Sequence, residues 1–185
     1  MEQATKKKIL IGLAIFAGLL LLAALVWFLM FTLQFATYKD RVYHFSIKYP
    51  RKWQLFIQPQ AGAPVAFVAP QETALDTFRQ NVNISIQPVE ADIATLKSFS
   101  DKIVLQMTKV FKNMKVLGAK PITFGNREGY LVLFYAEKPD NIKILTAWTI
   151  KAGDTAYILT YMALAKKYDQ YLPLVIEMMK SFRLN

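Results

Sequence analysis

Cysteine is absent from this chain of 185 residues. Its absence removes structural disulfides, thiolate zinc sites, CxxC redox chemistry and a lipidated N-terminal cysteine. Histidine is nearly absent as well, since His44 is the only one. A metal ion or a general base centred on His44 would need every partner from distant segments. Its position among polar residues, beside Ser46 and Lys48, predicts an exposed or turn-proximal side chain instead. Acidic residues are scarce, 13 against 23 basic ones. Asp40, Glu72, Asp76, Glu90, Asp92 and Asp101 show no paired spacing that suits acid–base work. There is no GxxxxGK[ST] phosphate loop and no strand–turn–helix serine motif. Ser98 and Lys102 stand four apart, but Phe99 and Ile103 claim the buried face of the same helix. That leaves the pair to water, where a lysine is not activated. A hydrolase would otherwise have to join His44 to Ser85 or Ser98. No catalytic residue, metal or cofactor is expected, and the chain reads as a non-enzyme.

Charge is missing from one long stretch. Between Ile9 and Tyr38 no residue is charged, and the 28 residues from Ile9 to Ala36 are almost all apolar. About 20 such residues cross the hydrocarbon core as a helix. A secretory signal has an apolar core of roughly 7 to 15 residues. This stretch therefore predicts a retained anchor over 9–37, after a short basic N-terminus (1–8) and before a domain over 38–185. Ile9 opens the anchor, and Trp27, Phe28, Phe31, Phe35 and Tyr38 gather at its far end, where amphipathic rings favour the headgroup zone. Ala14 and Gly18 match a small-xxx-small helix contact, although such small residues are common in membrane helices. Lys6, Lys7 and Lys8 favour a cytoplasmic N-terminus and an extracytoplasmic, periplasmic domain.

The domain alternates between two periods. Residues 43–49 put Tyr43, Phe45, Ile47 and Tyr49 on one side of a strand. Pro50 ends that strand, Trp53 opens a return strand, and 58–64 form a loop. Short strands follow at 65–69 and 81–89. Steps of three and four from Leu96 through Phe99, Ile103, Met107 and Val110 to Met114 predict a helix over 93–114, capped by Asp92. Residues 130–136 and 156–165 are apolar at nearly every position, while 141–150 alternate. A last helix is expected over about 170–182, with Pro173 in its first turn. Strands without a polar face need cover on both sides, and two amphipathic helices are available. The expected architecture is an α+β fold, an antiparallel sheet with helices on its faces.

The opening hairpin, with Phe45, Tyr49, Pro50 and Trp53, resembles that of the PsbP-like family. These are the extrinsic proteins of the photosystem II oxygen-evolving complex and their bacterial relatives. The later order is also similar: a long helix, a hairpin around FGNREGY, two apolar strands and a last helix ending MKSFRL. The resemblance covers about residues 40–185. It implies an α/β/α sandwich and a non-enzymatic, extracytoplasmic role, and it carries no functional residue, because the match is to core and turn positions.

Without residues 1–37 the chain keeps 20 basic and 12 acidic residues, a formal +8. Lys39, Arg41, Lys48, Arg51 and Lys52 cluster just after the anchor and read as a docking surface for anionic headgroups or an acidic partner. The aromatic residues are explained as core at strand period, so nucleic acid is not expected. The resulting expectation is a single-pass accessory subunit of a membrane protein complex. The alternatives are a free-standing extracytoplasmic binder of lipid or a small ligand, and a hydrolase.

Overall fold

The computed structural model describes residues 12–13, 15–24, 26, 34–57, 63–74, 76, 78–90, 95–111, 113–136, 141–151 and 155–185. The chain divides into two units, Met1–Ala36 and Thr37–Asn185. In the first, residues 12–13, 15–24 and 26 are helical. Among the described residues, no helix is long and apolar enough to cross a membrane. Ile9, Ala14, Trp27, Phe28 and Phe31 lie outside the described residues.

Among the described residues, ten strands and two helices follow in the order β1 (Phe35–Asp40), β2 (Phe45–Pro50), β3 (Gln54–Ile57), β4 (Val65–Val68), β5 (Asn81–Pro88), α1 (Leu96–Val110), β6 (Met114–Phe124), β7 (Arg127–Ala136), β8 (Ile142–Lys151), β9 (Thr155–Leu164), α2 (Ala165–Ser181) and β10 (Arg183–Leu184). Seven of the strands form one sheet in the order β3-β4-β5-β9-β8-β7-β6, and β1-β2-β10 form a second. Every pairing in the large sheet is antiparallel. The α+β expectation therefore holds, with a small second sheet that the sequence did not suggest.

The apolar strands are covered on both faces. On one face, Val132, Phe134, Ile144, Trp148 and Ile158 pack under Phe99 and Ile103 of α1. The Trp148 indole N–H donates to the Leu96 carbonyl at 3.2 Å, which ties the start of the helix to β8. On the other face, Tyr161 lies against Tyr168 of α2, with ring centroids 5.1 Å apart, and its hydroxyl donates to the Tyr168 carbonyl. Tyr171, Val175, Met178 and Met179 complete the buried stripe of α2.

Both helices depart from the expected limits. Asp92 lies outside the described residues, and the cap of α1 is Thr95. Thr95 and Ser98 exchange two hydrogen bonds in a reciprocal box, each side chain satisfying the other's backbone N–H. At the far end Phe111 turns extended and Asn113 takes φ 62. Met114 therefore begins a strand rather than ending the helix. α2 starts five residues earlier than expected, and Pro173 lies in its interior. Proline there removes the bond to the carbonyl of residue 169. Pro173 and Asp169 are both exposed, so the lost bond lies on the solvent side of the helix, while the buried Tyr168 and Tyr171 hold the first turns in place.

The small sheet is held by aromatic contacts between the ends of the domain. Phe182, between α2 and β10, stacks on Phe124 at 4.7 Å and on Phe45 at 5.7 Å. Gly125 lets this happen. It has φ +65, and a Cβ there would stand 2.0 Å from the Phe182 carbonyl oxygen.

Candidate functional site

The opening hairpin brings the basic residues together with an aromatic hub. Phe45 and Ile47 are fully buried, as the alternation predicts. Tyr43 falls in the turn before β2, and its carbonyl accepts from the Tyr157 hydroxyl at 2.9 Å. Tyr49 leans on Phe67 of β4 at 4.8 Å, and Tyr38 meets the same ring edge-on at 6.1 Å. Trp53 is buried against Tyr171 at 6.0 Å. Phe35 and Tyr38, expected at the headgroup end of an anchor, are in fact residues of β1. Phe35 is buried there, and Tyr38 also packs on Phe45. Burial and the neighbouring Asp40 carboxylate push the Tyr38 hydroxyl up to about 12, so it stays a donor to Asp40 at 2.9 Å.

The five basic residues line one hairpin, but they do not share one spot. Lys39 on β1 and Lys48 on β2 are exposed. Arg41 sits in the turn between those strands, whereas Arg51 and Lys52 sit in the turn beyond Pro50, closed by the Trp53 N–H on the Pro50 carbonyl at 2.9 Å. Six strand residues of β2 separate the two turns, roughly 20 Å at about 3.3 Å per residue. The sequence cluster is thus a stripe of positive charge with two ends. His44 is exposed in the first turn at φ 53, and its carbonyl accepts from the Asn185 N–H.

Serine and lysine on α1 are structural. The Ser98 hydroxyl belongs to the helix cap, and Lys102 forms an ion pair with Glu90 at 2.7 Å. Among the described residues no group of His, Asp and Glu is arranged to hold a metal ion.

One acidic constellation was not anticipated. Glu72, in the connection before β5, accepts from Lys167 at 2.5 Å and from the Tyr171 hydroxyl of α2. Lys167, then Tyr171, holds the Glu72 carboxyl below its ordinary range. Burial and Glu72 together raise the Tyr171 hydroxyl to about 12. Asp76 binds the Thr73 and Glu72 backbone N–H groups at 3.0 and 2.8 Å, which keeps its own carboxyl low. The arrangement latches Glu72, in the connection before β5, onto α2. Glu72 and Asp76 are visible in the sequence, but nothing local pairs them with a helix almost a hundred residues on.

Among the described residues, the β5 side of the α1 face is only half-buried and presents uncharged side chains. Asn81, Asn83 and Ser85 stand there beside Thr160 and Met162, their register partners or neighbours on β9.

An antiparallel sheet between two helices, with a small sheet closing one end, defines the PsbP/Mog1-like α+β class. The chain belongs to the PsbP family, whose model matches residues 33–184. Comparison with curated proteins finds no match. Among solved structures, cyanobacterial PsbP (CyanoP) from Synechocystis sp. PCC 6803 is similar at 15% identity and a TM-score of 0.64, over 82% of this chain and 93% of that one. LpqN of Mycobacterium tuberculosis, involved in cell envelope biogenesis, is similar at 14% identity and 0.57, over 76% and 83%. The Saccharomyces cerevisiae Ran-binding protein Mog1p reaches 9% and 0.59, over 81% and 95%. At these identities the likeness is one of fold.

Proposed function

We propose that this PsbP-family chain is a single-pass, membrane-anchored binding module without catalytic activity. Its role is that of an accessory or stabilising subunit of a membrane protein complex. The N-terminus is cytoplasmic and the PsbP domain extracytoplasmic. One observation carries the reading. The helical residues of the first unit expose Leu13, Ile15, Phe16, Leu19, Leu20, Leu21, Leu22 and Val26, each by roughly half or more, inside a stretch that has no charge between Ile9 and Tyr38. A helix apolar all round needs an apolar surrounding, and a bilayer supplies it along the uncharged run that opens at Ile9 and gives way to β1 at Phe35.

Two further points support a binding role for the domain. PsbP-family members are generally non-catalytic, and the same sandwich serves binding in Mog1p. The basic stripe on the opening hairpin supplies a complementary surface for anionic headgroups or an acidic partner.

The test is gentle solubilisation of the full chain from its native membrane, followed by sizing and identification of what travels with it. A fixed set of membrane proteins in constant ratio is the expected result. A lone monomer in detergent would remove the subunit role and leave a free-standing binder.

A further inference from the structure

The two edges of the large sheet are defended differently. β6 carries Lys115, Lys120 and Pro121, and a bulge between Val116 and Gly118. These are the devices that keep an edge strand soluble and unpaired. β3, at the opposite edge, has no lysine, proline or bulge, and only its shortness, four residues, limits pairing there. Its Leu55, Phe56 and Ile57 are 36%, 42% and 60% exposed; Leu55 and Ile57 share the face of their partners Phe67 and Val65 and Phe56 stands on the other, so the edge is apolar on both of its faces. Isolated exposed apolar residues are ordinary, but a contiguous exposed group marks a contact surface.

The chemistry around β3 selects the partner. Arg51 and Lys52 are exposed in the turn that leads into it. No Asp or Glu occurs from Arg41 to Gln71, 31 residues that include β2, β3 and β4 and carry Arg41, Lys48, Arg51 and Lys52. An apolar edge flanked by cations, with no acid in its own segment, matches an anionic bilayer surface: apolar side chains enter the acyl boundary and cations meet the phosphates. A second observation concerns position within the domain. Leu55 pairs with Phe67 across the sheet, and Phe67 is the ring on which Tyr38 rests. The chain therefore enters the domain one strand pair from the exposed edge. A domain tethered at that point meets the membrane at high effective concentration, so a weak surface contact is enough.

We propose that β3 and the Arg51–Lys52 turn form a membrane-docking surface that lays the domain on an anionic bilayer, with Leu55, Phe56 and Ile57 in the interface. The proposal rests on the anchored reading above. It adds a defined orientation of the domain, which fixes the surfaces left free for a protein partner.

The absence of native cysteine makes the test direct. Nitroxide labels are placed singly at Ile57→Cys, Lys120→Cys and Leu20→Cys in the full chain, in nanodiscs of phosphatidylcholine with about one third phosphatidylglycerol. Relaxation by oxygen and by a water-soluble nickel chelate is then measured. The expected result is a nickel accessibility at Ile57 about fivefold below that at Lys120, with oxygen accessibility raised as in an acyl environment. Arg51→Glu with Lys52→Glu returns Ile57 to the Lys120 value and leaves Leu20 unchanged. Nickel accessibility at Ile57 equal to that at Lys120 overturns the proposal while the anchor stands. Shielding of Ile57 from both reagents also overturns it, in favour of a protein contact such as a second copy. A water-like signal at Leu20 removes the anchored reading, and this proposal with it.

Discussion

Thr146 is 1% exposed on β8, and its Oγ1 is the buried side-chain polar atom among the described residues that has no hydrogen-bond partner. Its register partners are Val132 on one side and Thr160 on the other. A buried hydroxyl that gave up water without a replacement costs about 1–3 kcal/mol. Thr146→Val keeps the branched shape and removes the orphan, so it raises stability by about 1 kcal/mol, a shift of the urea midpoint at unchanged m. No change, or a loss, would mean that a partner satisfies Thr146 in solution. The Glu72 latch is a second residue-scale device, with a definite sign. Lys167 and Tyr171 depress the Glu72 carboxyl in the folded chain. Its contribution is therefore complete above the ordinary carboxylate range, and it is lost as pH falls through the lowered folded value. Tyr171, raised to about 12, keeps its proton throughout that window. Amide exchange in residues 71–74 should accelerate, relative to strand amides, as pH falls through that lowered value, and Glu72→Gln should show the faster rate already at neutral pH.

Strands announced themselves because half-buried and fully buried segments leave different periods. Val82 and Ile84 are buried beside half-exposed Asn81, Asn83 and Ser85, and β9 is apolar on both faces because α1 and α2 cover both. What stayed hidden depends on distant partners. β1 begins at Phe35, flush with the apolar run, so its aromatic residues read as the end of an anchor. β10 has two residues, paired with Ser46 and Phe45, and no local pattern can mark so short a strand. The start of α1 was misplaced because Thr95 is also an excellent cap, and Ser98 at the third position completes its box. The basic stripe was legible in number but not in layout, since its two ends lie on different turns. The small sheet depends on the ring of Phe182, stacked between Phe124 and Phe45 and fully enclosed. Phe182→Ala should cost about 3–5 kcal/mol. It should also release β10, read as loss of protection at the Asn185 amide, which bonds the His44 carbonyl at 2.8 Å. Retention of that protection would show that the strand holds without the ring.

At the scale of the whole molecule, the excess charge and the fold play separate parts. The core of the domain is built from apolar faces and aromatic contacts in which Lys48, Arg51 and Lys52 take no part, for all three are exposed. Reversing them together should leave the unfolding temperature within a degree or two, as is usual for surface substitutions. The backbone N–H of Lys48 bonds to the Ser181 hydroxyl at 2.8 Å, and that bond survives any change of side chain. Association should respond strongly. Lys48→Glu, Arg51→Glu and Lys52→Glu change the formal charge of the hairpin by six, and exposed charges act over a Debye length of about 8–10 Å. Steering and register at an acidic partner or an anionic bilayer depend on that field. The full chain with the triple reversal should dissociate from its membrane complex at lower salt than the natural sequence does, measured by what remains bound after sizing. If both chains are retained equally across the salt series, the stripe is only a solvated surface and the apolar anchor alone carries the association.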